Sequence, residues 1–321
     1  MDATDRRTFL KSAGVVTLGV LADPANAAES DQKEPANEDA VGCLVDTTRC
    51  VGCRKCEEAC NAINGLPEPE IPFDQKSVFN EPRRPDASAY TVVNRFDGSP
   101  SPDQPYCEHT YVKLQCMHCL EPACVSACIV GALKRQENGA ITYDAGKCIG
   151  CRYCMVACPF QIPAYEYDKA ATPRVNKCTY CFDKLTSHGE QPACAAACPR
   201  EAILFGKRRE LLKVAHERIR HRPDRYVDHI YGEHEVGGTA WLYLAGRDFK
   251  GLGLLDLPGR SVPTLTETIQ HGVFKHFIPP VLLYTALAGT AWITHRRDAA
   301  ARPVVGSETG DTKPEEPEDD G

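Results

Sequence analysis

No dinucleotide fingerprint, phosphate-binding loop or nucleophile elbow occurs in the 321 residues, so the chain lacks the common signatures for transforming a substrate itself. It also lacks a strong charge of either sign. The net charge is −7, but Glu308, Asp311, Glu315, Glu316, Glu318, Asp319 and Asp320 against Lys313 place −6 of that in residues 308–321. The remainder is near neutral, with no basic face for nucleic acid. With 42% hydrophobic and 25% charged residues, neither a disordered chain nor a polytopic membrane protein is indicated. Against these absences stands one excess, 18 cysteines. A disulfide-stapled mini-protein is normally short, whereas this length can bury one or two real cores, so the cysteines read as ligands.

The two ends carry their own signals. Thr4-Asp5-Arg6-Arg7-Thr8-Phe9-Leu10-Lys11, an uncharged stretch from Ser12 to Ala22 and Ala25-Asn26-Ala27 read as a twin-arginine export signal over residues 1–27. A polar linker is expected over 28–40. Phe277 to Thr294 holds 18 residues without a charge, about 27 Å as a helix at 1.5 Å per residue, which just matches a hydrocarbon layer of roughly 30 Å. Pro279-Pro280 falls in its first turn, where missing N–H groups cost little. Tyr284 and Trp292 are candidate interfacial anchors, and His295-Arg296-Arg297 place the C-terminus on the cytoplasmic side. A single membrane anchor over 277–294 is therefore expected, with the body on the periplasmic side and an acidic, disordered tail over 295–321. A buried core helix is the competing reading of the same run.

Sixteen cysteines form four groups of four: Cys50, Cys53, Cys56 and Cys60; Cys116, Cys119, Cys124 and Cys128; Cys148, Cys151, Cys154 and Cys158; Cys178, Cys181, Cys194 and Cys198. Groups one and three have the spacing C-x2-C-x2-C-x3-C, and Cys158 and Cys198 are each followed by Pro, which is the bacterial ferredoxin pattern. Two-residue gaps let one tight loop direct three thiolates at a compact cubic cluster. The fourth thiolate faces away and ligates the neighbouring cluster. Four groups thus imply four [4Fe–4S] clusters. Structural zinc is the competitor, but it pairs two C-x2-C units at a distance and needs no third and fourth Cys at once. Group four is the loosest, with 12 residues between Cys181 and Cys194, and there a local zinc site or an altered cluster stays open.

Local patterns agree with small α+β units around inorganic clusters. Gly131-Ala132-Leu133-Lys134 and Ala140-Ile141-Thr142-Tyr143 are strand candidates around an Asn138-Gly139 hairpin turn. Leu44-Val45, Tyr111 to Leu114 and Ala202 to Phe205 are further short strands. Cys124 to Cys128 and Cys194 to Cys198 suit short helices, and Lys207 to Arg222 has amphipathic helical spacing through Leu211, Leu212, Val214 and Ile219. Nineteen residues separate groups two and three, and 19 separate groups three and four, so spacing does not decide which groups share clusters.

The runs Gln115-Cys-Met-His-Cys119, Glu121-Pro-Ala-Cys-Val-Ser-Ala-Cys128 and Gly150-Cys-Arg-Tyr-Cys-Met-Val-Ala-Cys-Pro-Phe160 resemble the four-cluster iron–sulfur subunits of respiratory oxidoreductases. The resemblance is fullest to HybA-type subunits of membrane-bound nickel–iron hydrogenases. It extends over the twin-arginine start, Leu204-Phe205-Gly206, the Gly-Gly segment between Tyr231 and Thr239, and a C-terminal membrane helix preceded by Gln270-His271. Formate dehydrogenase beta subunits share the core but usually lack a signal of their own.

The resemblance implies tandem ferredoxin-like domains over 41–206, a C-terminal extension over 207–276, and pairing of group one with four and two with three. Cys50, Cys53, Cys56 and Cys198 would hold cluster 1, and Cys60, Cys178, Cys181 and Cys194 cluster 2. Cys116, Cys119, Cys124 and Cys158 would hold cluster 3, and Cys128, Cys148, Cys151 and Cys154 cluster 4. Cys60 and Cys128 depart from the pattern in lacking a following Pro. Cys43 and Cys107 are left over, as buried thiols or a periplasmic disulfide.

The functional expectation is an electron-transfer subunit between a catalytic partner and a membrane quinone-interacting subunit, with no nucleic acid. A molybdopterin oxidoreductase such as formate dehydrogenase is the alternative catalytic partner, and a zinc-binding scaffold the alternative of another class. Twin-arginine export moves folded proteins, so clusters inserted in the cytoplasm would survive an oxidising destination. Lys55, Arg152 and His118 are candidate tuners of cluster potential or solvated side chains. His271 and His276 flank the apolar run, where an interfacial role competes with a partner's haem or quinone site.

Overall fold

The computed structural model describes residues 40–98, 109–169, 171–184, 190–263 and 278–301. The export signal, nearly all of the linker, Cys107, His271, His276, Phe277 and residues 302–321 lie outside these. The chain divides into one unit up to Thr264 and a second from Leu265. In the first unit the strands are β1 (Val41–Asp46), β2 (Thr91–Asp97), β3 (His109–Gln115), β4 (Leu133–Arg135), β5 (Ile141–Tyr143), β6 (Ala164–Tyr165), β7 (Val175–Asn176), β8 (Ile203–Lys207) and β9 (Trp241–Leu244).

A three-stranded sheet in the order β8-β1-β9 joins distant parts of the sequence. β1 runs antiparallel to β8, with Cys43 opposite Phe205, and parallel to β9, with Cys43 opposite Trp241. Alternation then sorts the side chains between two faces. Leu44, Leu242 and Leu244 pack with Leu211, Ala215 and Ile219 of the helix Arg208–His221, whose four-residue spacing puts them on one stripe. Burial of each such leucine or isoleucine stabilises by about 1.5–3 kcal/mol. Cys43, Val45, Trp241 and Tyr243 point the other way, into the cluster that contains Cys116, Cys178 and Cys194. The sheet thus separates an apolar helix contact from the cysteine-rich interior.

The remaining strands form three antiparallel pairs. β2 and β3 pair from Thr91–Gln115 to Asp97–His109. β4 and β5 close over the expected Asn138-Gly139 turn, where Gly139 has φ 90° and the Ala140 N–H donates to Asn138 Oδ1 at 3.1 Å. β6 and β7 make a two-residue ladder. Short helices Ala123–Ser126 and Ala193–Ala196 lie where the sequence suggests, each carrying the third cysteine of its group.

The C-terminal helix runs Ile278–Ala301, 24 residues. Its helical nature matches the expectation, but among the described residues no helix is long and apolar enough to cross a membrane. Prolines 279 and 280, Thr285, Gly289, Thr290 and Thr294 dilute the apolar residues, and Phe277 lies before the described helix. Tyr284 and Trp292 are exposed, with the Arg296 guanidinium 4.4 Å from the Trp292 ring centre.

Candidate metal centres

The first C-x-x-C step of each of the four groups shares one backbone feature. The residue just before the second cysteine has positive φ: 67° at Gly52, 47° at His118, 70° at Gly150 and 61° at Tyr180. That left-handed residue reverses the chain tightly between the two cysteines. Glycine is required most at Gly52, where a Cβ would lie 2.3 Å from Tyr111 Cε1.

A second device recurs after the fourth cysteine of groups two, three and four. Gly131, Gln161 and Glu201, each three residues on, have φ of 62°, 54° and 47°, and their N–H groups donate to the carbonyls of Cys128, Cys158 and Cys198 at 3.0–3.1 Å. The next N–H then points at sulfur, Ala132 to Cys128 Sγ at 3.1 Å and Ala202 to Cys198 Sγ at 3.3 Å. Cys128 makes this turn without a following Pro because Gly131 supplies the conformation. Cys60 does not make it. It stays inside the helix Lys55–Asn64, and Asn64 Nδ2 approaches its sulfur at 3.6 Å.

The described thiols come together across groups. Burial pushes the Cys50 thiol up to about 11, opposed by the Gly52 N–H, with Cys198 and Cys53 adding to the rise. Burial takes Cys60 to about 12, with Lys113 opposing and Cys194 and Cys181 adding. Burial, then Cys116, Cys158 and Cys124, raise Cys119 well above an ordinary thiol. Burial, then Cys128, Cys148 and Cys151, take Cys154 to about 11. Thiols of groups one and four are thus neighbours, as are thiols of groups two and three. Between these foursomes, Cys56 feels Cys194, Cys178 feels Cys116, and Cys124 feels Cys154. A small cavity is lined by Cys60, Cys178, Cys181 and Cys194 together with Lys113 and Trp241.

The donor set fits [4Fe–4S] clusters: thiols only, loops curled around a volume, and backbone N–H groups aimed at sulfur. Among the described residues no group of three His, Cys, Asp or Glu converges as one metal ion requires; structural zinc would need sulfurs about 2.3 Å from a single point.

Of the expected tuners, Lys55 is exposed and paired with Glu58 at 2.7 Å. The Arg152 guanidinium lies 5.5 Å from the Tyr165 ring centre and 5.8 Å from that of Tyr167. His118 is not solvated. It is fully buried, accepts the Ile141 N–H at Nδ1 at 2.9 Å, and is held well below the usual imidazole range by burial and by Lys177. Cys43 is a buried free thiol that receives the Tyr180 hydroxyl at 3.8 Å, and burial pushes it well up. Sequence reasoning missed the buried cations Lys113 and Lys177. Lys113 lies in a strand, where a lysine reads as solvent-facing, and Lys177 follows β7 in an irregular segment with no periodicity, so no local signal marks either.

Residues 107–208 match the 4Fe-4S dicluster domain. A protein of Nitratidesulfovibrio vulgaris (strain Hildenborough) is 46% identical over 302 residues, covering 92% of this chain and 79% of its own length. Hydrogenase-2 operon protein HybA of Escherichia coli O157:H7 is 34% identical over 310 residues, 88% of this chain and 93% of that protein. The formate dehydrogenase iron-sulfur subunit of Haemophilus influenzae is 36% identical over 251 residues, covering 77% and 78%. With its cysteine loops and this extent of similarity, the chain belongs to the family of iron–sulfur proteins that includes HybA and the formate dehydrogenase iron-sulfur subunits.

Proposed function

We propose that this chain is the electron-transfer subunit of a respiratory nickel–iron hydrogenase complex and holds four [4Fe–4S] clusters in a row. The ligand sets are Cys50, Cys53, Cys56 and Cys198; Cys60, Cys178, Cys181 and Cys194; Cys116, Cys119, Cys124 and Cys158; and Cys128, Cys148, Cys151 and Cys154. The observation that carries the reading is that thiols of different sequence groups share one site: Cys60 lines a cavity with Cys178, Cys181 and Cys194, and Cys124 and Cys128 pack in one cluster with Cys148 and Cys154. When bound, such clusters supply one-electron carriers whose potentials follow burial, net charge and hydrogen bonds to sulfur. The protein's part is to fix their order and to wrap the inner sets in apolar packing.

The two ends of the row differ in surface chemistry. Beside the first set, Arg49, Arg200, Arg218, Arg222 and Arg225 line a cleft of about 570 Å³. Beside the last set, Ile129, Ile149, Tyr153, Val156 and Tyr167 are exposed. Both suit docking by partner subunits: charged side chains in the first case, and in the second an apolar surface too rich for free solvent. The catalytic partner and an integral quinone-interacting subunit are the proposed occupants of these ends. Hydrogenase is favoured over formate dehydrogenase because HybA matches over 93% of its length and the formate dehydrogenase relative over 78%.

Export by the twin-arginine signal and association of the C-terminal helix with the membrane complete the proposal. Because no described helix is long and apolar enough to cross a membrane, the C-terminal helix would be held there by packing against a membrane partner. Affinity purification from membranes tests the whole reading. Co-purification of a nickel-containing large subunit, about sixteen iron atoms per chain at four per cubane, and equal sulfide are expected. Colourless protein with zinc and no sulfide would overturn it, and a molybdenum-containing partner would replace hydrogenase by the second reading.

A further inference from the structure

Lys113 is a charged residue in an unusual place. It sits on β3 with 2% of its surface exposed and lines the cavity formed by Cys60, Cys178, Cys181 and Cys194. Its ammonium makes one of the three hydrogen bonds of a short relay that returns to the Lys113 backbone. Nζ donates to Gln115 Oε1 at 2.8 Å, Gln115 Nε2 donates to the Tyr243 hydroxyl at 2.7 Å, and that hydroxyl donates to the Lys113 carbonyl at 2.8 Å. The Trp241 ring lies under the ammonium, 4.3 Å from its centre.

Burying an ammonium is costly unless charge of opposite sign lies near. Around Lys113 that role falls to thiols: Cys194, Cys56 and Cys178 all favour its charged form against burial. These belong to the first two proposed ligand sets, in which the thiols become thiolates when metal binds. Lys113 thus lies where negative charge collects, and no flexible surface chain places it there. The hydrogen-bonded Gln115 and Tyr243 fix its position beforehand.

We infer that Lys113 is a buried fixed cation that offsets the charge of the metal centre whose cavity it lines, that of Cys60, Cys178, Cys181 and Cys194, and of the adjoining centre of Cys56, and so raises their reduction potentials relative to the centre at Cys151. The inference rests on the four-cluster reading and adds a positioning role that none of the cysteines supplies. A positive charge stabilises the reduced, more negative state of a nearby centre, and the effect falls with distance. The centre of Cys128, Cys148, Cys151 and Cys154 stands at the far end of the row and serves as an internal reference.

The test is anaerobic redox titration of the full-length, cluster-loaded protein, followed by electron paramagnetic resonance, for Lys113→Met, Lys113→Gln and Lys113→Arg. The neutral variants are expected to move two of the four midpoint potentials to more negative values and leave the others in place. Lys113→Arg should keep the original pattern. Unmoved potentials in the neutral variants, an equal shift in Lys113→Arg, or a uniform shift of all four would overturn the inference. If both neutral variants lose iron, retention of iron and potentials by Lys113→Arg upholds a requirement for charge, and loss there too overturns it in favour of shape. Absence of iron and sulfide from the unsubstituted protein would strike the four-cluster reading itself.

Discussion

Gly52 and Tyr111 are packed so closely that no side chain fits between them: a Cβ on Gly52 would stand 2.3 Å from Tyr111 Cε1. The ring cannot easily give way, because Phe79 meets it edge-on at 5.2 Å. Gly52→Ala combines this clash with a φ of +67°, which by itself costs about 1–2 kcal/mol for a residue with a Cβ. The expected outcome is loss of iron from the first ligand set, read as a fall of about four atoms per chain at four per cubane. Gly150→Ala is the milder comparison, since its Cβ would meet only the Tyr165 hydroxyl at 3.0 Å. Equal iron retention in the two variants would contradict the packing argument.

The proposed ligand sets cross the sequence groups, and one cysteine tests this. Cys158 completes the C-x2-C-x2-C-x3-C run begun at Cys148, yet it lies with Cys116, Cys119 and Cys124. Cys158→Ser is therefore expected to disturb the third centre and spare the fourth, whereas Cys151→Ser should do the reverse and interrupt quinone reduction without harming the partner's reaction with artificial dyes. Resonance spectra of the reduced variants should show different signals missing. Loss of the same signal from both would dissolve the proposed pairing.

Glu57 holds together the floor beneath the first ligand set. It is 4% exposed and accepts from Arg54 Nη2 at 2.9 Å, Arg83 Nη2 at 2.7 Å and the Val93 N–H at 2.6 Å. Glu57→Gln leaves two arginines facing a neutral amide, and removing one partner of a buried pair costs about 3 kcal/mol. Anaerobic chemical denaturation should show a lowered midpoint, with iron released earlier than from the unsubstituted protein. A change no larger than that of the exposed pair variant Glu58→Gln would count against the network.

A pH effect is expected at the β6–β7 hairpin. Lys169 at 2.7 Å holds the Glu166 carboxyl below the ordinary carboxylate range, with Asn176 and the Arg174 N–H adding to it. Because the folded value is the lower one, this support is complete above the unfolded glutamate value of about 4.3 and fades as pH falls through the folded value. Hydrogen exchange pulsed after incubation at graded pH should show the hairpin opening on acidification. Glu166→Gln should flatten that dependence, and an unchanged profile would reject the assignment.

Much of the architecture is written in local pattern. Asn138-Gly139 marks its own turn, the stripe Leu211–Ala215–Ile219 marks its own helix, and the four cysteine groups stand out at any reading. The observed β8 begins one residue late at Ile203, because Ala202 turns its N–H toward Cys198 Sγ, and runs on to Lys207 opposite Val41. What local pattern cannot carry is pairing over distance. β9 meets β1 nearly two hundred residues away, and β2 has no alternation distinctive enough to announce its match with β3. The left-handed His118 and Tyr180 are invisible for another reason, since only glycine at that position advertises the conformation. The buried Lys113 and Arg54 follow from tertiary contacts that composition does not report.

The parallel pairing of β1 with β9 governs when this protein can close. Every proposed iron ligand has been synthesised by Cys198, but the strand that seals the sheet beside Cys43 ends only at Leu244. A nascent chain would thus present its thiols for some time without the wall that shields them. Cofactor loading and final closure become separate events in biogenesis, with an interval in which assembly factors could still reach the sulfurs before the molecule commits to its mature form.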